Sequence, residues 1–165
     1  MTQSSPNSRL FWSVTLVWVA LDILTKRLAL ASLAPGTPVP IVGDFARFTL
    51  AFNRGAALGL SLGGWSRPAF ILIGLIMLVV LVNIYRATPP ERRIRIVLLA
   101  LITGGAVGNL IDRIRWSNGV VDFIDIGIGS TRFWTFNVAD MGISVSAIIL
   151  AILWSRGGRE SAEAG

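Results

Sequence analysis

The sequence predicts an all-α membrane protein: four transmembrane helices with a small extracytoplasmic β-element. Three observations lead there. Of the 165 residues 53% are apolar and only 15% are charged, against about 25% charged in a soluble domain. The apolar residues gather into four runs, each near the roughly 20 residues a helix needs to cross the hydrocarbon core. Most charges fall between those runs or near their ends, the pattern of a multi-span protein. The net charge of +6 follows the same pattern, so nucleic acid is not expected as a partner. A single domain, residues 1–165, suits this length.

The first helix is expected over about residues 10–33, interrupted by Asp22, Lys26 and Arg27. The first ten residues of the chain are polar and carry only Arg9, and no small-residue site closes the run, so a cleaved signal peptide is not expected. Residues 34–67 hold Pro35, Pro38 and Pro40 and an alternating run from Ala46 to Phe52, which reads as a β-element outside the membrane. The second helix, about residues 68–85, is the cleanest. A short connection over residues 86–95 carries Arg86, Arg92, Arg93 and Arg95 against Glu91. The third helix takes about residues 94–113, a second sizeable loop containing Asp122 follows, and the fourth helix covers about residues 136–154. The positive-inside rule puts the Arg-rich connection and both termini in the cytoplasm. The outer loops carry Arg47, Arg54, Arg67, Arg115 and Arg132, but the inner segments are richer per residue.

The chain has no cysteine and no histidine. That removes disulfides, thiol nucleophiles, His-dependent triads and zinc or iron sites built on those ligands. Acid–base chemistry must then come from Asp, Glu, Lys, Tyr or backbone. Intramembrane polar residues are costly and usually face a site or a partner. Here they cluster. Asp22 and Lys26 lie one turn apart, Asn109 and Asp112 share a face, and so do Asn137 and Asp140. Antiparallel threading brings all of them, with Asp122, to the outer interface. Asp22 with Lys26 reads first as a structural pair, Asp112 beside Arg113 as an interfacial ion pair, and Asp125 as a surface charge. Asp122 and Asp140 are harder to dismiss, because neither has a basic residue within a helical turn. Two carboxyls in apolar surroundings that share one proton are the means by which aspartic proteases activate water. Gly104 and Gly108 form a small-xxx-small pair suited to close helix approach.

In these residues the chain resembles the bacterial lipoprotein signal peptidases, signal peptidase II. Asp22-Ile-Leu-Thr-Lys26 is similar to the family's D-x-x-[ST]-K element. Asn53-Arg-Gly55-Ala-Ala-Leu-Gly59 resembles N-x-G-[AV]-A-[FW]-[GS], with Leu58 where an aromatic is usual. Gly104 to Arg113 resembles G-[GA]-A-x-G-N-x-x-D-R. Val120-Val121-Asp122-Phe123 resembles V-x-D-[FM], and Phe136-Asn137-Val-Ala139-Asp140 resembles F-N-[VIL]-A-D. The resemblance spans nearly the whole chain. It implies four transmembrane helices with a periplasmic β-cradle, and Asp122 and Asp140 as the catalytic dyad. Asn53, Gly55, Asn109, Arg113, Asn137 and Ala139 would position substrate or support the dyad, Asp22 and Lys26 would hold the first helix, and Asp112 would be a structural partner. It implies a multi-pass protein of the bacterial inner membrane, taken as a monomer, whose site lies near the extracytoplasmic face. Its substrates would be prolipoproteins already carrying diacylglycerol on a cysteine, cut just before that cysteine. No metal or other cofactor is implied, and the cyclic peptide globomycin would inhibit.

Three rivals remain. A transporter would need polar groups at the midplane and broken helices, whereas these acids gather at one end. A Ser-Lys peptidase would use Lys26, the only lysine, with Ser61 or Ser66, but Asp22 one turn away would hold that lysine protonated. A non-catalytic adaptor leaves the carboxylates without a purpose.

Overall fold

The computed structural model describes residues 6–54 and 63–163, with side chains over residues 7–54 and 63–155. The expected motif positions from Gly55 to Gly59, and Ser61, lie outside the described residues. Four long helices run α1 (Pro6–Ser32), α2 (Ser66–Ala87), α3 (Arg93–Arg115) and α4 (Val138–Glu163). α2 and α3 pass both ends of the apolar runs that predicted them, whereas α1 starts earlier and ends at Ser32, and α4 starts later, at Val138, and runs on to Glu163. The double proline at Pro89 and Pro90 ends α2 and forces the chain to turn before α3.

Among the described residues, three helical stretches are long and apolar enough to cross a membrane: Gly63–Ala87, Arg93–Arg115 and Val138–Ser155, with mean hydropathies of 2.5, 2.0 and 1.9. Helix α1 has the length, 27 residues, but is interrupted by Asp22, Lys26 and Arg27. The first two of these are withdrawn from the surface, at 0% and 2% exposed. Its outward face is instead apolar, with Trp12, Leu16, Val17, Leu21, Leu24 and Leu28 exposed.

Helix α3 is the axis of the bundle, with α1, α2 and α4 all packed on it. Glycines set how closely they approach. A Cβ at Gly104 would stand 3.0 Å from the Thr15 carbonyl oxygen and 3.0 Å from Trp18 Cβ, and one at Gly108 would overlap the Asp22 carboxylate. At Gly105 it would press on Ile143 and the Ala139 backbone of α4. The small-residue run of α3 therefore permits close packing on two sides. At the end of the bundle that holds Arg9 and Pro90, Phe11 stacks on Tyr85 at a centroid distance of 3.9 Å and Asn7 donates to the Pro90 carbonyl at 3.1 Å.

At the opposite end sits a four-stranded antiparallel sheet, ordered β1 (Val39–Val42), β2 (Ala46–Asn53), β3 (Val120–Ile128) and β4 (Thr131–Arg132). The expected β-element is present, but only half of the sheet comes from that segment. The other half is the α3–α4 connection, so Asp122 stands in a strand and not in a loop as expected. β3 is nearly all buried along its first six residues, and a strand covered on both faces lacks the alternation that would mark it. Gly119 makes the turn into β3 with φ of +97°, a conformation that L side chains rarely adopt.

Asp125 is a second correction. It was expected as a surface charge, yet it is only 4% exposed and accepts hydrogen bonds from Arg47 Nε (3.1 Å) and Nη2 (3.0 Å), Thr49 Oγ1 (2.9 Å) and Arg132 Nε (2.9 Å). Burial pushes its carboxyl up, but these donors outweigh burial and hold it below the usual carboxylate range. The contacts tie β2, β3 and β4 together beyond their backbone ladder.

Candidate active site

The polar residues that the sequence scatters over more than a hundred positions meet where the sheet joins the bundle. Two layers can be separated. In the inner layer, Lys26 Nζ lies 2.7 Å from Asp22 Oδ2, 2.9 Å from Asp112 Oδ2 and 3.0 Å from Asn109 Oδ1. The pairing of Asp22 with Lys26 is as expected. Asp112 turns to Lys26, not to its neighbour Arg113, because adjacent residues on a helix point apart. Asp112 also accepts the Val121 N–H at 3.2 Å, fixing the start of β3, and Asp22 Oδ1 accepts the Ala139 N–H at 2.9 Å. Asp22 thereby satisfies one of the unpaired donors at the positive end of α4. One ammonium joins α1 to α3, and its two carboxylates reach α4 and β3.

The outer layer is organised by Asn137, the residue just before α4. Its Oδ1 accepts the Asp140 N–H at 2.9 Å, while an Asp140 carboxylate oxygen accepts the Asn137 N–H at 3.2 Å. This is a reciprocal capping box, with Asp in the position usually held by Glu or Gln. Asn137 Nδ2 reaches Asp122 Oδ1 at 2.7 Å, with Asn109 Oδ1 at 3.2 Å and the Val121 carbonyl at 3.3 Å. Asn109 Nδ2 donates to Asp140 Oδ1 at 2.8 Å. Asn53 lies on β2 opposite Val120, so period-two alternation puts its side chain on the face that carries Asp122, which it hydrogen-bonds. The Phe123 and Ile124 N–H groups both donate to the Phe136 carbonyl, at 3.0 and 2.8 Å, clamping β3 to the segment that leads into α4.

Asp122 and Asp140 form no ion pair among the described residues, while Asp22, Asp44, Asp112 and Asp125 all do. Burial pushes the Asp122 carboxyl up to about 7, and the Asp140 charge adds to that rise. Hydrogen bonds from Asn137 and Asn53 and the Lys26 charge oppose it. Arg113 is a half-buried cation. Its Nη1 donates to the Asn109 carbonyl at 3.1 Å, and its guanidinium lies over the Phe70 ring, 5.4 Å from the centroid.

Both carboxyls line a cavity of about 930 Å³, which is also bounded by Phe52, Asn53, Phe133, Trp134 and Met141. This arrangement ties two carboxyls to Asn137 at the wall of one open cavity. Sequence reasoning missed the cavity's aromatic wall, because Phe133 and Trp134 sit in an irregular segment with no periodicity to flag them. Ala139 contributes its backbone N–H, and its methyl group is fully buried.

Comparisons with known proteins identify the family. The family model for signal peptidase (SPase) II matches residues 14–156. The chain is similar to the lipoprotein signal peptidase of Hydrogenovibrio crunogenus, 42% identical over 147 residues that cover 85% of this chain and 84% of the relative. It is likewise similar to that of Coxiella burnetii, 41% identical over 143 residues covering 86% of each. Two solved structures described as bacterial membrane enzymes, determined by the in meso method, share the fold. One has a TM-score of 0.79 at 29% identity, covering 88% of this chain and 87% of its own; the other has 0.77 at 30%, covering 87% and 91%. A family match over most of the length, on a chain with this fold, leads to one conclusion: this chain belongs to the signal peptidase II family of peptidases.

Proposed function

We propose that the chain is a membrane-embedded aspartic endopeptidase that removes the signal peptide from diacylglyceryl-modified prolipoproteins, cutting before the lipidated cysteine. The observation that carries this reading is the pair Asp122 and Asp140, held by Asn137 from two sides and left without an ion pair among the described residues at the wall of the cavity. Asp122 is the carboxyl that keeps its proton up to about 7. Neutral, it donates a hydrogen bond to the scissile carbonyl. Ionised Asp140 takes a proton from water as the water oxygen attacks the carbonyl carbon. It then passes that proton to the leaving amine as the C–N bond breaks. Asn109 and the Asn137 N–H each occupy one site on an Asp140 oxygen and leave further lone pairs for the water. Asp22, Lys26, Asp112, Arg113, Ala139, Asn53 and Gly55 complete the support.

The whole chain acts as one transmembrane peptidase domain in the bacterial inner membrane. Helix α1 serves as the fourth span, its charges turned onto α3 and its apolar face turned outward. Both termini and the α2–α3 connection lie in the cytoplasm, and the sheet and site lie at the outer interface. A substrate anchored by lipid then reaches the site sideways, with its acyl chains still in hydrocarbon. A Ser-Lys mechanism fits poorly, since Lys26 is enclosed by two carboxylates.

The test is cleavage of a purified diacylglyceryl prolipoprotein by the purified protein in detergent, read as a gel mobility shift. Cleavage should be sensitive to globomycin and absent on the unmodified precursor. Asp122→Asn and Asp140→Asn should each lower kcat by about 10²–10⁴-fold or more. Full activity of either variant rejects the dyad.

A further inference from the structure

Two cavities lie near the carboxyl pair, and they differ in chemistry. The larger holds the aromatic segment and the two carboxyls. The second, about 260 Å³, lies across α3 between α2 and α4, walled by apolar side chains such as Met77, Leu110 and Ile143 beside Gly74 and Ala106. Helix α2 packs on α3 and makes no close backbone approach to α4, so the groove lies at the seam between them. It is polar only where Asn109 and Arg113 border it. Asn109 is also the residue that holds Asp140, at 2.8 Å, so a single side chain stands between the groove and the dyad. Arg113 Nε is buried there with no hydrogen-bond partner.

We propose that this groove holds an acyl chain of the substrate's own diacylglyceryl group. The proposal rests on the function proposed above. In such a substrate the lipid hangs from the residue immediately after the scissile bond, so two limbs of unlike polarity diverge from one point. The peptide limb suits the larger cavity, with its polar and aromatic lining. The hydrocarbon limb suits an apolar groove that starts at Asn109, the residue bonded to Asp140, and runs along the spans. A glyceryl ester carbonyl is an acceptor of the kind that the unpaired Arg113 Nε lacks, and a buried donor left unmatched carries a cost that such an acceptor removes. Gly74 keeps the groove open: a Cβ there meets only the end of the Leu110 side chain, at an ordinary 3.4 Å. A bulky side chain at Gly74 therefore fills space without displacing backbone.

The experiment uses Gly74→Leu and Met77→Trp in the full-length protein, with two prolipoproteins identical except for their cysteine lipid. One carries palmitoyl chains and the other four-carbon chains. Wild type should show a lower KM for the long-chain substrate. Each variant should raise that KM about tenfold, equivalent to losing roughly two buried methylenes. It should leave kcat and the short-chain KM unchanged. Met77 is half-exposed, so Met77→Trp carries the test if Gly74→Leu fails to fold. Unchanged KM for both substrates would overturn the proposal and leave the groove to bilayer lipid. Equal impairment of both substrates would also overturn it, since the groove would then act only through packing. Wild type that cleaves neither substrate would overturn the parent reading and this one together. Wild type that cleaves both with the same KM would overturn this one alone.

Discussion

Asn137 closes the head of α4 and, with the same side chain, reaches the carboxyl of Asp122. The capping box thus fixes both members of the pair from a single residue, and Asp122 stays buried without an ion pair among the described residues. This has an energetic consequence. In the unfolded chain Asp122 loses its proton near 3.8, whereas the folded protein keeps it up to about 7. Between those values the folded state binds more protons than the unfolded one, so stability falls as pH rises, by up to about 4 kcal/mol in all. Asp122→Asn removes that cost while its amide oxygen can still accept from Asn137. The variant should be inactive yet melt higher than wild type at pH 8, with the difference vanishing near pH 4; thermal unfolding in detergent measures it. An equal or lower melting temperature at pH 8 would show that the carboxyl is not held against its own charge. Activity should follow the same proton and decline as pH rises through about 7, since a fully ionised pair cannot donate to the carbonyl. Every residue of this pair was legible in the sequence, since carboxyls without nearby bases in an apolar chain are conspicuous. The partners of Asp125 were not, because Arg47 is 78 residues away and strand register alone brings it close.

At the scale of elements, α3 decides how near the dyad's supports can come. Gly108 faces Asp22, and the space a methyl group would fill is already taken by the carboxylate that holds Lys26 and the Ala139 N–H. Gly108→Ala must shift that carboxylate or separate α1 from α3, at a cost of about 1–3 kcal/mol. It should lower both the melting temperature and kcat. Gly74→Ala, where the added carbon meets ordinary contact, should change neither. A neutral Gly108→Ala would mean that the helices are not clamped at this point. Lys26→Ala acts on the same joint. It strands two buried carboxylates and should cost about 3–5 kcal/mol, yet the fraction that folds should still cleave. The helices themselves were readable from runs of apolar residues, and the glycine spacing on α3 signalled close packing. The sheet was only half readable. β2 alternates and was found, but β3 is covered on both faces and shows no two-residue alternation of apolar and polar side chains.

For the molecule as a whole, the open question is whether α1 crosses the bilayer. By composition it falls short, since Asp22, Lys26 and Arg27 interrupt it, and hydropathy counts a charge without asking which way it points. The packing supplies the missing information. Asp22 and Lys26 are withdrawn onto α3, and one end of α1 lies beside Pro90 while the other meets the sheet-side polar cluster. At 1.5 Å per residue, 27 residues extend about 40 Å, enough to pass a hydrocarbon core of about 30 Å. Because the chain lacks cysteine, single cysteines report sidedness without background. Replacements at Asn7 and Glu91 should resist a membrane-impermeant maleimide in spheroplasts and react only after permeabilisation. Replacements at Gly43 and Gly129, two sheet turns with positive φ and open space around them, should react at once. If α1 merely lay along the surface, Asn7 would label together with Gly43. The carboxyl pair would then sit in a three-span protein, with no reason for its deepest salt bridge to be shielded from water by a helix on that side.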